Sequence, residues 1–145
     1  KVHADDTPIT VLDPGAKPVG SRRGYMWVYI GDHDDVVFDF TDSHKRDGPA
    51  SFLADYRGYL QADAFSGYDG IYTNGLIWEV ACWAHARRKF YDTLVHYPAE
   101  SRRVLDLIGR LYAVESRARM LKVSPEKLSA WRQRFSRRRL AQLPQ

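Results

Sequence analysis

Two aspartates carry the chemistry with the widest consequences. Asp63 ends a short apolar run, Tyr59-Leu60-Gln61-Ala62, and a turn of mostly small residues, Ala64-Phe65-Ser66-Gly67, follows it. Asp5 lies within Val2 to Leu12, whose loose alternation and Val, Ile and Thr content predict a strand. An acid at the carboxyl end of a buried strand stands where α/β sheets place ligands. Two carboxylates held together repel one another. A divalent cation removes that conflict, and Mg²⁺ suits a few carboxylates completed by water and phosphate oxygens. Two such ions, roughly 3.5–4 Å apart, activate an attacking oxygen and stabilise a leaving one in phosphoryl transfer. Taken alone, each aspartate also reads as an ordinary strand-end acid. Asp6 competes with Asp5, because side chains alternate along a strand and only one of the two can face Asp63.

A second group of candidates follows the apolar run Leu76 to Ala81. Cys82 and His85 form a C-x-x-H pair, and Ala86-Arg87-Arg88-Lys89-Phe90 is a basic helix start. A closed zinc site takes about four ligands, and no second Cys or His pair stands at suitable spacing, so zinc is not expected. Cys82 reads as a buried residue ending a strand. His85 is either a capping or packing residue or, with Arg87 and Arg88, a contact to nucleic acid. Arg87, Arg88 and Lys89 can neutralise phosphates without reading sequence. Trp78 and Trp83 are expected in the core. His3, His33, His44 and His96 receive no role. The chain has no phosphate-cradling glycine loop and no Ser-His-Asp arrangement.

The elements that must position these residues follow from pattern. Val2 to Leu12, Tyr25 to Ile30 and Val36 to Phe40 predict three strands in an antiparallel meander. Between them lie a polar connection, Lys17 to Arg23, and a turn, Gly31 to Asp35. Thr41 to Gly48 is a polar loop. Pro49 to Tyr56 predicts a short helix that Gly58 stops. The Leu60 strand follows, then a short helix near Ser66 to Tyr72 and the Leu76 strand. Ala86, Phe90, Leu94 and Tyr97 recur at helical spacing, so Ala84 to Tyr97 predicts an amphipathic helix. Ser101 to Leu121 and Pro125 to about Leu140 predict two more. The order βββαβαβα is that of a ribonuclease-H-like domain, in which the Asp5 and Asp63 strands are neighbours.

With 145 residues and one cysteine, the chain fits a single domain without an internal disulfide. No apolar run approaches the length that spans a bilayer. Beginning at Lys1 with a strand almost at once, it reads as a piece of a longer protein. The net charge of +4 is unevenly placed. Ser101 to Gln145 holds twelve Lys/Arg against three Asp/Glu, and the first hundred residues hold ten against fifteen. An acidic half suited to metal beside a basic half suited to phosphate divides the work of nucleic-acid chemistry. A solvated, arginine-rich helical face accounts for the same charge equally well.

LQADAFSGY followed by CWAHARRKF resembles the catalytic core of the insertion-sequence-66 type bacterial transposases, members of the Asp-Asp-Glu transposase superfamily. HADDTPITVL, at His3 to Leu12, is a second matching block in the same order, and weaker similarity runs on through LYAVESRARM. The resemblance implies an α/β, ribonuclease-H-like mixed five-stranded sheet with flanking helices over residues 1–97, and a basic helical insertion region over 98–145. It implies Asp5 and Asp63 as catalytic metal ligands for Mg²⁺, with Mn²⁺ as substitute. In the family's Asp-Glu-Thr-Pro block the catalytic acid is the first, which selects Asp5 over Asp6. His85, Arg87, Arg88 and Lys89 become DNA-contact candidates.

The implied activity is strand cleavage and strand transfer on double-stranded DNA by the full enzyme, in a bacterial cytoplasm near the nucleoid, with a homo-oligomer joining two transposon ends. A nuclease without strand transfer and a DNA-binding remnant are the rival readings. The superfamily also needs a Glu on a helix after the fifth strand. Glu79 comes too early, Glu100 and Glu126 look like helix-start residues, and Glu115 falls in the insertion. The isolated chain is therefore expected to lack the third carboxylate and to be inactive.

Overall fold

The computed structural model describes residues 1–15, 20–33, 35–73 and 75–142. Its β-branched and aromatic runs form five strands: β1 (Val2–Leu12), β2 (Ser21–Ile30), β3 (Val36–Thr41), β4 (Gly58–Ala62) and β5 (Ile77–Ala81). They make one mixed sheet in the order β3-β2-β1-β4-β5. β1 and β3 run antiparallel to β2, and β4 runs parallel to both β1 and β5. β2 starts earlier than expected, because Ser21, Arg22 and Arg23 pair with Leu12, Val11 and Thr10. The Lys17–Val19 part of the expected connection lies outside the described residues. The Gly31 N–H closes the next turn on the Asp35 carbonyl at 2.8 Å; Asp34 of that turn also lies outside them.

Alternation gives the sheet two chemically different faces. One face packs Ala4, Trp27, Tyr29, Leu60, Ala62 and Ile77 against Leu53, Tyr68 and Ile71 from the helical connections. These connections are α1 (Asp47–Phe52), a 3₁₀ turn at Ser66–Tyr68 and α2 (Asp69–Tyr72). Trp27 is fully buried, and its indole N–H donates to Thr41 Oγ1 at 2.7 Å. Trp78 corrects the core expectation. It is 56% exposed, because Ile77 takes the inward position on β5 and the next side chain must point the other way. It lies beside Tyr59, its partner on β4, with ring centroids 5.3 Å apart. Trp83 is 38% exposed and opens a helix instead of filling a core.

The chain divides into two compact units, Lys1–Cys82 and Trp83–Gln145. The second unit is helical: α3 (Trp83–Asp92), α4 (Pro98–Met120), α5 (Pro125–Phe135) and α6 (Arg137–Leu140). Its core comes from α4, where Val104, Leu107, Ile108, Leu111, Val114 and Ala118 are buried at three- and four-residue spacing.

Several helix boundaries differ from expectation. α1 begins at Asp47 and ends at Phe52; Pro49 is still in its first turn, where its missing N–H costs nothing. Gly58 does not stop that helix but opens β4 at φ +133, a conformation that suits glycine. The helix expected through Tyr97 ends at Asp92 in a 3₁₀ turn, Thr93–Val95. Pro98 disfavours helical geometry at Tyr97, which sits at φ −133, ψ 66, and Pro98 itself starts α4. The last helix breaks at Ser136 into α5 and α6.

Candidate active site

β1 and β4 pair Val2 with Leu60 and His3 with Gln61. Carried two residues further, that register brings Asp5 level with Asp63, just where β4 ends. Acids almost sixty residues apart thus reach the same edge of two central strands. Asp63 is half-buried, and its Oδ1 accepts the Phe65 N–H at 3.1 Å. This is the short turn that Asp favours after a strand. Asp5 is exposed, and its Oδ1 accepts the N–H of Asp6 at 3.0 Å.

Asp6 is engaged elsewhere. It stands opposite Trp27 in the β1–β2 register, on the face that carries the core. Its side chain is only 12% exposed, and its Oδ1 accepts the Nε2–H of His44 at 2.9 Å. His44, from the loop after β3, is sandwiched between aromatic rings. Its ring stacks on Phe65 at 3.9 Å and on Tyr25 at 4.5 Å. Phe65 also meets Tyr68 edge-on at 5.9 Å. The residue two places after Asp63 is thereby tied, through His44, to the residue after Asp5. Nothing local in the sequence singles out His44 for this role. It sits in a polar loop, and only the packed sheet brings it to Asp6 and Phe65.

The field around this corner is negative. Burial, and then neighbouring negative charges that include Asp6 and Asp63, hold the Tyr68 phenol well above its ordinary value. Burial and the charges of Glu79, Asp69 and Asp63 push Tyr72 up to about 12. Burial, the larger cause, disfavours charge of either sign; only the carboxylate part of these shifts is a negative field that favours a cation. Among the described residues, no three His, Cys, Asp or Glu side chains come together to hold a metal. Asp5 and Asp63 supply two carboxylates, which fits a Mg²⁺ ion that draws its remaining oxygens from water and phosphate.

The other candidates belong to the helical unit. Arg87, Arg88 and Lys89 are exposed on α3, and His85 is half-buried there. Glu115 lies on α4 and is committed to Arg132 of α5 by two hydrogen bonds, at 2.9 and 2.8 Å. Glu126 is in the first turn of α5, and its hydrogen bond with the Ser124 side chain holds its carboxyl below the ordinary value. Glu100 is in the first turn of α4.

The family model described as Transposase IS66 family matches residues 1–145. The chain belongs to the IS66 transposase family. Three curated relatives come from Sinorhizobium fredii (strain NBRC 101917 / NGR234). "Uncharacterized protein y4qI" is 32% identical over 123 residues, covering 74% of this chain and 22% of that protein. "Uncharacterized protein y4hP" is 28% identical, over 63% of this chain and 18% of the relative. "Uncharacterized protein y4jD" is 25% identical, over 82% and 26%. This IS66 transposase chain therefore spans about a quarter or less of the length of the curated relatives it matches. No helix among the described residues is long and apolar enough to cross a membrane.

Proposed function

We propose that this chain is the part of an IS66 transposase that carries two of the metal-holding carboxylates, Asp5 and Asp63, on a ribonuclease-H-like sheet. The observation that supports this most is the β1–β4 register, which brings the two acids level at the end of β4. The strand order β3-β2-β1-β4-β5, with β2 antiparallel, supports the fold assignment. The bound Mg²⁺ would supply charge neutralisation and an activated oxygen for phosphoryl transfer on DNA. The chain's own residues hold the geometry. Asp63 is fixed by the Phe65 N–H, and Phe65 is fixed by its stack on His44. Asp6 faces away and anchors His44. His85, Arg87, Arg88 and Lys89 serve as contacts to the phosphate backbone of double-stranded DNA. The full-length enzyme cleaves the transposon ends and joins them to target DNA, working as a homo-oligomer in the bacterial cytoplasm.

The test begins with Mn²⁺ binding, followed by paramagnetic relaxation. Asp5→Asn and Asp63→Asn are each expected to weaken it at least tenfold, and Asp6→Asn to do less. A larger effect from Asp6→Asn than from Asp5→Asn would move the ligand from Asp5 to Asp6. Strand nicking with Mg²⁺ is expected from a carboxyl-extended chain and not from residues 1–145 alone. Nicking by the short chain that Glu115→Gln abolishes would move the third carboxylate to Glu115.

A further inference from the structure

Four arginines of the helical unit line one cleft. α4, α5 and α6 surround a cleft of about 510 Å³ lined by Arg110, Arg134, Phe135, Arg138, Arg139 and Gln142. Among the described residues no carboxylate lines it, and Asp106 lines an adjoining cleft that shares Arg110 and Gln142. Arg132, nearby in sequence, is neutralised by Glu115, but among the described residues Arg110, Arg134 and Arg138 have no ion-pair partner. Two of the guanidinium groups are held in place. That of Arg139 donates to the Phe135 carbonyl, and that of Arg134 lies over the Phe135 ring, 5.3 Å from its centroid. Phe135 is in turn backed by Trp131, with ring centroids 4.6 Å apart. A second cleft, of about 540 Å³, shares Arg134 and Phe135 and adds Lys122 and Lys127.

Lys122 is an independent sign of use. The Lys122 N–H donates to the Arg119 carbonyl and the Val123 N–H to the Ala118 carbonyl, which closes α4 with a Schellman turn. The left-handed position of that turn favours glycine, yet lysine occupies it at φ 50. A glycine there would relieve the backbone but remove a cation from the cleft.

Guanidinium groups without carboxylate partners repel one another, and an anion relieves that repulsion. Their planar forks match phosphate oxygens in pairs. Six cations across two adjoining clefts exceed what one free phosphate needs and suit successive phosphates of a polymer. We propose that these joined clefts bind the phosphodiester backbone of duplex DNA, positioning it without reading its sequence. This rests on the DNA-handling reading above and localises it within α4, α5 and α6.

The experiment follows binding of this chain to a fluorescent random-sequence duplex as salt is varied. The triple variant Arg110→Gln, Arg134→Gln, Arg138→Gln is compared with a charge-matched control, Arg102→Gln, Arg117→Gln, Arg119→Gln, both checked for helix content by circular dichroism. The log–log slope of the cleft variant is expected to be shallower by about 2.7, at about 0.9 for each phosphate no longer neutralised, and the control to keep the parental slope. Lys122→Gly is expected to raise the melting midpoint and also flatten the slope by about 0.9. Equal slopes for the two triple variants, with the parent binding DNA, would overturn the cleft and leave the DNA reading intact. A parent that does not bind duplex would overturn both. Selective binding of the parent to phosphatidylserine vesicles, abolished in the cleft variant, would assign the cleft to a lipid surface instead.

Discussion

Lys1–Cys82 carries seven Lys/Arg against thirteen Asp/Glu, whereas Trp83–Gln145 carries fifteen against five, a contrast of −6 and +10 within a chain of net +4. The two units also assemble their candidate residues by different routes. In the sheet unit, Asp5 comes level with Asp63 only because β4 lies beside β1, and His44 reaches Asp6 only across the packed face. In the helical unit, the core stripe of α4 arises from helical spacing, and Arg110 of α4 meets the arginines of α5 and α6 over a shorter stretch of chain. A site built from long-range register fails when the core that sets the register fails. A charged helical face depends on fewer distant partners and tolerates more change.

The largest expected effect tests whether the two units also fold apart. Trp27→Ala empties a fully buried position and removes the hydrogen bond to Thr41. It is expected to cost the sheet unit about 3–5 kcal/mol. Near-ultraviolet circular dichroism should lose the sheet unit's share of the tertiary signal while the far-ultraviolet helix signal of the second unit survives. Loss of both together would mean that the units melt as one.

A smaller effect is expected at the corner that joins Asp6 to the Asp63 turn. His44→Ala removes the stack on Phe65 and leaves the nearly buried Asp6 carboxylate without its donor. It is expected to cost roughly 1–3 kcal/mol in urea unfolding and to speed exchange of the Phe65 amide. If that amide is unaffected, His44 supports the sheet without supporting the Asp63 turn.

The smallest effect belongs to the helical unit and depends on pH. The Arg132 hydrogen bonds hold the Glu115 carboxyl below its ordinary value. Its stabilising contribution is therefore complete above the ordinary carboxyl range and fades as the pH falls through the lower, folded value. Both side chains are substantially exposed, so the contribution stays within the ~0.2–1 kcal/mol of surface pairs. Melting midpoints of the parent and Glu115→Gln are expected to differ near neutrality and to converge in acid. A difference that persists at low pH would point to packing by Glu115 and not to its charge.

The sequence by itself determined the strands, the helical stripe of α4, the acidic and basic halves and the family, because each is written in local alternation, three- and four-residue spacing or contiguous motif. It did not determine which neighbour of the Asp5–Asp6 pair is engaged by His44, since that depends on the β1–β2 register and on where the loop after β3 lands. It placed Trp78 inside from its size alone, while the structure turns it outward because Ile77 holds the inward position on a five-residue strand. It ran one helix through to Tyr97 on periodicity that continues past Asp92, where the 3₁₀ turn and Pro98 decide the end. Local pattern fixes what each segment can be. Only tertiary packing decides which face of it meets what, because that choice is made by residues far away in the chain.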